Sequence, residues 1–177
     1  MSDQDQSMAI TMVREEIVAL VPRLRRFCHV LTRSVDAGDD LAQSTIERAL
    51  SRIDQWQAGT RLDSWMFRIA KNLSIDEARA RARRGVKVDV EALDNAIGDD
   101  GRRIVEDRSD LVRVRQAIAA LPDDQRALVA LVIIDGQSYK EAAAIIDIPI
   151  GTVMSRISRA RQFIDTFVNA PPSALSA

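Results

Sequence analysis

The sequence predicts an all-α protein of two small helical domains joined by an acidic linker, the second domain carrying a helix-turn-helix. Three observations carry that prediction. In each long segment, apolar residues recur at three- and four-residue steps, the spacing that puts one buried stripe on a helix. Across residues 86–109 that period fades, while Asp89, Glu91, Asp94, Asp99, Asp100, Glu106 and Asp107 accumulate around Gly98 and Gly101. The stretch Ser138 to Arg161, SYKEAAAIIDIPIGTVMSRISRAR, reads as two short helices about a tight turn. The implied division is residues 10–85, linker 86–109, and residues 110–168.

The totals narrow the function classes. With 46% hydrophobic residues in 177, the chain can build real cores. A formal net charge of -1 argues against coating nucleic acid by bulk charge, so DNA contact would need local clusters offset by acid elsewhere. Cys28 and His29 are the single cysteine and the single histidine; they allow no internal disulfide and no cysteine or histidine metal cage, which suits a reducing cytoplasm. No metal or cofactor is expected. The start, MSDQDQSMAI, lacks a signal-peptide pattern, and no uncharged apolar run approaches the roughly 18 residues of a membrane span.

Taken in order, Thr11 to Leu31 places Ile17, Leu20, Val21, Leu24, Phe27, Cys28 and Leu31 on one stripe, with a kink or a start expected at Pro22. Cys28 reads as core, and His29 as partly exposed and structural. Ser34 to Gly38 reads as a turn, with Asp36 or Asp39 capping the next helix. That helix, DDLAQSTIERALSRI, buries Leu41, Ala42, Thr45, Ala49 and Ile53 and turns Asp39, Asp40, Gln43, Glu47 and Arg48 outward. Taken alone, such a mixed-charge face is a solvated one.

Asp54 to Asp63 breaks the period and contains Gly59, so it reads as a loop. Its Trp56 either plugs back onto the domain or marks a landing place for a partner. Ser64 to Arg84 is the longest helical pattern, with Trp65, Ile69 and Leu73, joined by Met66 and Ala70, as the packed stripe. Its end, with Arg79, Arg81, Arg83, Arg84 and then Lys87, suits a phosphate backbone. The alternative is a solvated helix end, where cations are favoured by the dipole.

Beyond the linker, Asp110 to Leu121 sets Leu111, Val114, Ile118 and Leu121 on one side. Leu121-Pro122-Asp123-Asp124 stops that helix and caps the next, Gln125 to Ile134, which Asp135-Gly136 closes. In the helix-turn-helix, Thr152, Ser155, Arg156 and Arg159 share one face of the second helix, and Val153, Ile157 and Ala160 share another. One face can pack while the other meets DNA. An amphipathic surface helix with solvated arginines has the same pattern. After Phe167 the proline-rich tail is not expected to fold.

The order of these features resembles the extracytoplasmic-function (group IV) bacterial RNA polymerase sigma factors. The matching residues are DAGDDLAQSTIERAL at 36–50, WMFRIAKNLSIDEARARARR at 65–84, LPDDQRALVALVIIDGQSYKEAAAIIDIPIGTVMSRISRAR at 121–161, and the acidic linker. The likeness spans about 150 residues, and two motif blocks at the family's separation are far more specific than a helix-turn-helix alone.

The resemblance implies a protein that binds core RNA polymerase and directs promoter-specific initiation, without bond chemistry of its own. Asp39, Asp40, Leu41 and Gln43 look like the surface that docks on the β′ clamp helices, and the C-terminal domain like the part that meets the β flap. Trp56, Arg61, Arg68, Lys71 and Asn72 match the region that receives a flipped base of the minus-10 element, where a pocket must return the few kcal/mol of lost stacking. Arg79, Arg81, Arg83 and Arg84 would follow the phosphates. Thr152, Ser155, Arg156 and Arg159 look like the residues that enter the major groove at minus-35, where arginine reads guanine bidentately. An anti-sigma protein is the further partner the resemblance implies. The alternative is a sigma-like decoy that binds an anti-sigma protein without reading DNA. One departure is Asp147, where many family members have glycine; aspartate tolerates a left-handed turn better than most residues.

Overall fold

A computed structural model describes residues 3–84 and 105–170, with side chains from 11 to 84 and from 110 to 170. Among these residues all regular structure is helical. Most of the expected linker lies outside the described residues, as do Lys87 and the end of the tail.

Helix α1 spans Asp3–Thr32 and passes through Pro22 unbroken. The expected kink or start is absent because Pro22 sits on the exposed side, where the carbonyl freed by its missing N–H can be met by water. The stripe Ile17, Leu24, Phe27, Cys28 and Leu31 is buried as its spacing requires. Thr32 Oγ1 donates to the Cys28 and Ser34 carbonyls, and Arg33 takes a left-handed φ of 61°. The reversal is thereby complete by Ser34, which accepts from the Ala37 amide at 3.3 Å as the N-cap of α2, Val35–Ser51. The expected turn through Gly38 is therefore already helix, and neither Asp36 nor Asp39 is the cap.

Gly38 explains the close crossing of α1 and α2. A Cβ there would meet His29 Cδ2 at 2.4 Å and the His29 Cα at 2.8 Å. His29 is consequently buried rather than partly exposed, correcting the sequence expectation. Leu41, Ala42, Thr45 and Ala49 form the inner face of α2, as expected. A single 3-10 turn, Ile53–Gln55, leads into the loop that Gly59 bends with a φ of 87°.

Helix α3, Leu62–Arg83, starts two residues earlier than its apolar pattern indicates. Its fully packed residues are Leu62, Met66, Phe67 and Ala70, while Trp65, Ile69 and Leu73 are only partly buried. The stripe is rotated by one position because Phe67 is drawn against Phe27, with ring centroids 5.0 Å apart in a tilted pair.

Helix α4, Val105–Ala120, begins inside the segment expected as linker. Ala117, Ile118 and Leu121 are buried, but Leu111 is 54% exposed. Helix α5, Asp123–Val129, continues as a π turn over Ala130–Ile134 and closes at Gly136, whose φ is 79°. Helix α6, Tyr139–Ile146, opens on a capping box between Ser138 and Glu141. Asp147 then adopts the left-handed conformation, φ 62° and ψ 55°, as expected of the residue standing in glycine's place. Helix α7, Ile150–Asn169, buries Val153, Ile157 and Ala160 and runs two residues past Phe167.

Helices α1–α3 pack as one group and α4–α7 as another, and the two groups meet: α1 touches α5, and α3 touches α6. Their buried residues form one contiguous cluster, from Ile17 and Phe27 to Leu128, Ile145 and Ile157.

Candidate nucleic-acid interface

The recognition-type face of α7 is presented as its sequence requires. With Val153, Ile157 and Ala160 packed inward, Ser155 and Arg159 are exposed and Thr152 is half-buried. Ser155 Oγ donates to the Thr152 carbonyl at 3.0 Å, and Arg159 Nε reaches the Ser155 carbonyl at 3.3 Å, so both stay close to their own helix. Arg156 differs from its neighbours, because its Nε lies 3.1 Å from an Asp124 carboxylate oxygen and its side chain is 27% exposed. Met154 and Ile150 stand exposed on the same helix, apolar groups that the sequence reading did not single out.

In the first group, Trp56 is partly buried against the core, and its indole N–H is buried without a hydrogen-bond partner. Asn72, Arg79, Arg83 and Arg84 are exposed on α3, and Arg81 is half-buried. The remaining cations of this set are engaged across the boundary between the helical groups. Arg68 Nη2 donates to the Ala144 carbonyl at 2.8 Å, and Lys71 Nζ to the Ile146 carbonyl at 3.3 Å, both at the C-terminal end of α6. Arg61 holds Asp63 through two hydrogen bonds, at 3.0 and 2.6 Å, and is ion-paired with Glu141 of the α6 capping box.

Asp63 belongs to a polar cluster missing from the sequence reading. Arg23 of α1 grips Asp135 bidentately at 2.9 and 2.8 Å and reaches Asp63 at 3.0 Å, its guanidinium lying over the Phe67 ring. Gln137 donates to both carboxylates, at 3.2 and 2.9 Å. Burial alone would raise the Asp63 pKa, but bonds from Arg61, Gln137, the Ser64 amide and Arg23 outweigh it and hold the carboxyl well below its usual range. The hydrogen bonds and nearby charge of Asp135, with those of Asp63, raise Arg23 further above its already basic value. No local pattern announces this cluster, whose partners lie 40, 74 and 112 residues apart in the chain.

A cleft of about 550 Å³ lies between the groups, with Leu31, Ile75, Ala127 and Ile148 among its apolar walls and Arg33 and Arg79 among its cations. Arg126, 2% exposed, crosses its floor and donates to the Leu121 carbonyl at 2.7 Å, to Asp123 at 2.5 Å and to the Leu31 carbonyl of the other group at 3.2 Å. An arginine inside the apolar run 126–134 was the available sequence signal for that role.

On α2, Asp39 accepts from Arg25 at 2.9 and 2.7 Å and lies 2.6 Å from His29 Nε2. The Arg25 bonds, then His29, hold its carboxyl down at about 2. Asp40 and Gln43 are exposed, with Gln43 donating to Glu47 at 3.0 Å. Leu41 is fully buried and supports that face from beneath instead of standing on it.

The family model "Sigma-70, region 4" matches residues 111–164, which holds α5, α6 and most of α4 and α7. The "Sigma2 domain of PhyR" model matches residues 17–71. The "ECF RNA polymerase sigma factor EcfG" of Rhodopseudomonas palustris (strain TIE-1) is 38% identical over 149 residues, covering 84% of this chain and 81% of that protein. This chain belongs to the ECF RNA polymerase sigma factors. A solved sigma factor, RpoE from Bartonella quintana in complex with the anti-sigma factor NepR, overlays with a TM-score of 0.78 at 30% identity, across 89% of this chain and 97% of its own. The anti-anti-sigma factor PhyR from the same organism, solved with NepR, shares the fold at a TM-score of 0.57 and 16% identity, with 87% of this chain and 49% of that one covered. Among the described residues, no group of histidine, cysteine and acidic side chains could hold a metal ion, and no helix is long and apolar enough to cross a membrane.

Proposed function

We propose that the chain binds core RNA polymerase and directs initiation at promoters whose minus-35 element is read by α7 and whose minus-10 element is read by α3 and the Trp56 loop. The observation that carries this reading is α7 itself. Val153, Ile157 and Ala160 are spent on packing, leaving Ser155 and Arg159 exposed beside Thr152 and Arg156, and the region 4 family model covers the helix to residue 164. Hydroxyls and guanidinium groups on one helix face suit phosphates and guanine edges in a major groove. Asp39, Asp40 and Gln43, supported by Leu41, form the surface assigned to the β′ clamp helices, and the second helical group is assigned to the β flap. No bond-making step belongs to the chain. An anti-sigma protein is its regulator in this reading, by likeness to the RpoE protein solved with NepR.

A second reading is favoured by one observation: the model matching residues 17–71 is the sigma2 domain of PhyR, and PhyR is itself an anti-anti-sigma factor. A decoy of that kind would bind the anti-sigma protein without reading DNA. Run-off transcription with purified core polymerase and a promoter library separates the two. Promoter-dependent transcripts are expected; tight core binding with none would sink the first reading in favour of the second.

A further inference from the structure

Two cations of α3 are occupied by backbone of the helix-turn-helix. Arg68 and Lys71 donate to the Ala144 and Ile146 carbonyls, among the last four of α6, which have no acceptor role left inside the helix and carry the negative end of its dipole. To a guanidinium or an ammonium, such carbonyls present oxygen acceptors of partial negative charge, in the role that a phosphate oxygen would otherwise fill. Arg61, the next cation on that surface, is taken by Asp63 and Glu141.

We propose that this arrangement is an intramolecular off-state, in which the end of α6 stands in for nucleic acid on Arg68 and Lys71 and the cluster Arg23–Asp63–Asp135–Gln137 is the latch that holds it there. The assignment of these cations to DNA rests on the function proposed above; the latch does not. Its contacts suit a reversible device. Asp63 keeps Arg61, Arg23 and the Ser64 amide when the groups part, and what is lost is Asp135 and Gln137 on one side against Arg23 and Asp63 on the other. These are polar partners that water can replace, whereas the apolar contacts that join the cores of the two groups have to part with them. Because α6 and α7 are joined only by Asp147–Pro149, docking α6 on α3 also fixes where α7 stands. One opening step would therefore free the α3 cations and at the same time let α7, whose reading face is already exposed, move relative to α3.

Two substitutions weaken the latch without removing a reading residue or a cap. Asp135→Asn keeps its shape and loses its charge, and Glu141→Gln retains the capping box while dropping its ion pair with Arg61. Spin labels at Ser51→Cys on α2 and Thr166→Cys on α7, both exposed, report the separation of the groups in the full chain, and the buried Cys28 stays unlabelled. The starting chain is expected to give one short, narrow distance distribution, and the double variant a second, longer population. Binding of a mixed-sequence single-stranded 15-mer DNA should tighten about tenfold in the variant, because apparent affinity scales with the fraction of open chains. A broad distribution in the starting chain, or unchanged distances in a variant that keeps its helical signal, overturns the latch. Opening without tighter DNA binding overturns the stand-in role, and with it the reading of the α3 cations, while run-off transcription still judges α7 separately.

Discussion

Gly38 and His29 show how much of the first helical group turns on single atoms. A methyl on Gly38 would fall inside contact distance of His29 backbone as well as its ring, so the ring cannot simply swing away. Gly38→Ala should cost about 1–3 kcal/mol, the range for overpacking a tight crossing, read as a lower urea midpoint with an unchanged slope. Arg156 is the residue where the site and its surroundings compete, since Asp124 holds the guanidinium proposed to read minus-35. An exposed or half-exposed pair of this kind is worth roughly 0–1 kcal/mol and yields readily to a guanine edge. Arg156→Ala should therefore leave the unfolding midpoint within about 0.5 kcal/mol of the starting chain and core-polymerase binding intact. In the transcription assay it should abolish selection among minus-35 sequences, and weakened core binding instead would mean that α7 is wrongly assigned.

For whole elements, propensity and capping account for the helix-turn-helix, and packing accounts for the rest. Ser138 and Glu141 satisfy each other's backbone amides at the start of α6, through bonds of 3.2 and 2.7 Å. The other end is made by Asp147 in a left-handed conformation that costs a residue with a Cβ about 1 kcal/mol. Asp147→Gly should raise stability by about 0.5 kcal/mol, since part of the relief is offset by glycine's freedom in the unfolded chain, and urea titration at neutral pH measures it. Two other elements depart from their sequence pattern for packing reasons. The stripe of α3 turns by one position to bring Phe67 onto Phe27, and α1 continues through Pro22 because that residue faces outward. Periodicity shows that a helix has an apolar face. Which of two adjacent stripes goes deepest is settled by the neighbour it meets.

Across the whole molecule, the polar seam and the apolar core answer to different perturbations. Asp63 sits in the seam with a folded-state pKa below its unfolded value, so its contribution is present above about pH 4 and is lost as pH falls through the folded value. The urea midpoint should be level from pH 8 to pH 5 as far as this carboxylate acts, then fall, and Asp63→Asn should flatten that acid limb. Cys28 reports the other part. It is fully buried, and burial, with the nearby carboxylates of Glu77 and Asp39, pushes its thiol up to about 12. A thiol reagent at pH 8 should react only as fast as the first helical group unfolds, and the double variant Asp135→Asn/Glu141→Gln should leave that rate unchanged though the groups separate.

The sequence by itself determined the helices, the inward faces of α2 and α7, the left-handed turn at Asp147 and the candidate residues on α7. Each of these depends on contacts within a few positions along the chain, where spacing and residue type state the chemistry directly. Only the tertiary structure decided that His29 is buried and that Arg61, Arg68 and Lys71 meet α6. It alone joined Arg23, Asp63, Asp135 and Gln137 into one cluster. The burial of His29 depends on the crossing of two helices at Gly38, and the others on partners tens of residues away; a charged side chain carries no mark of whether it will face water, a phosphate or the end of another helix.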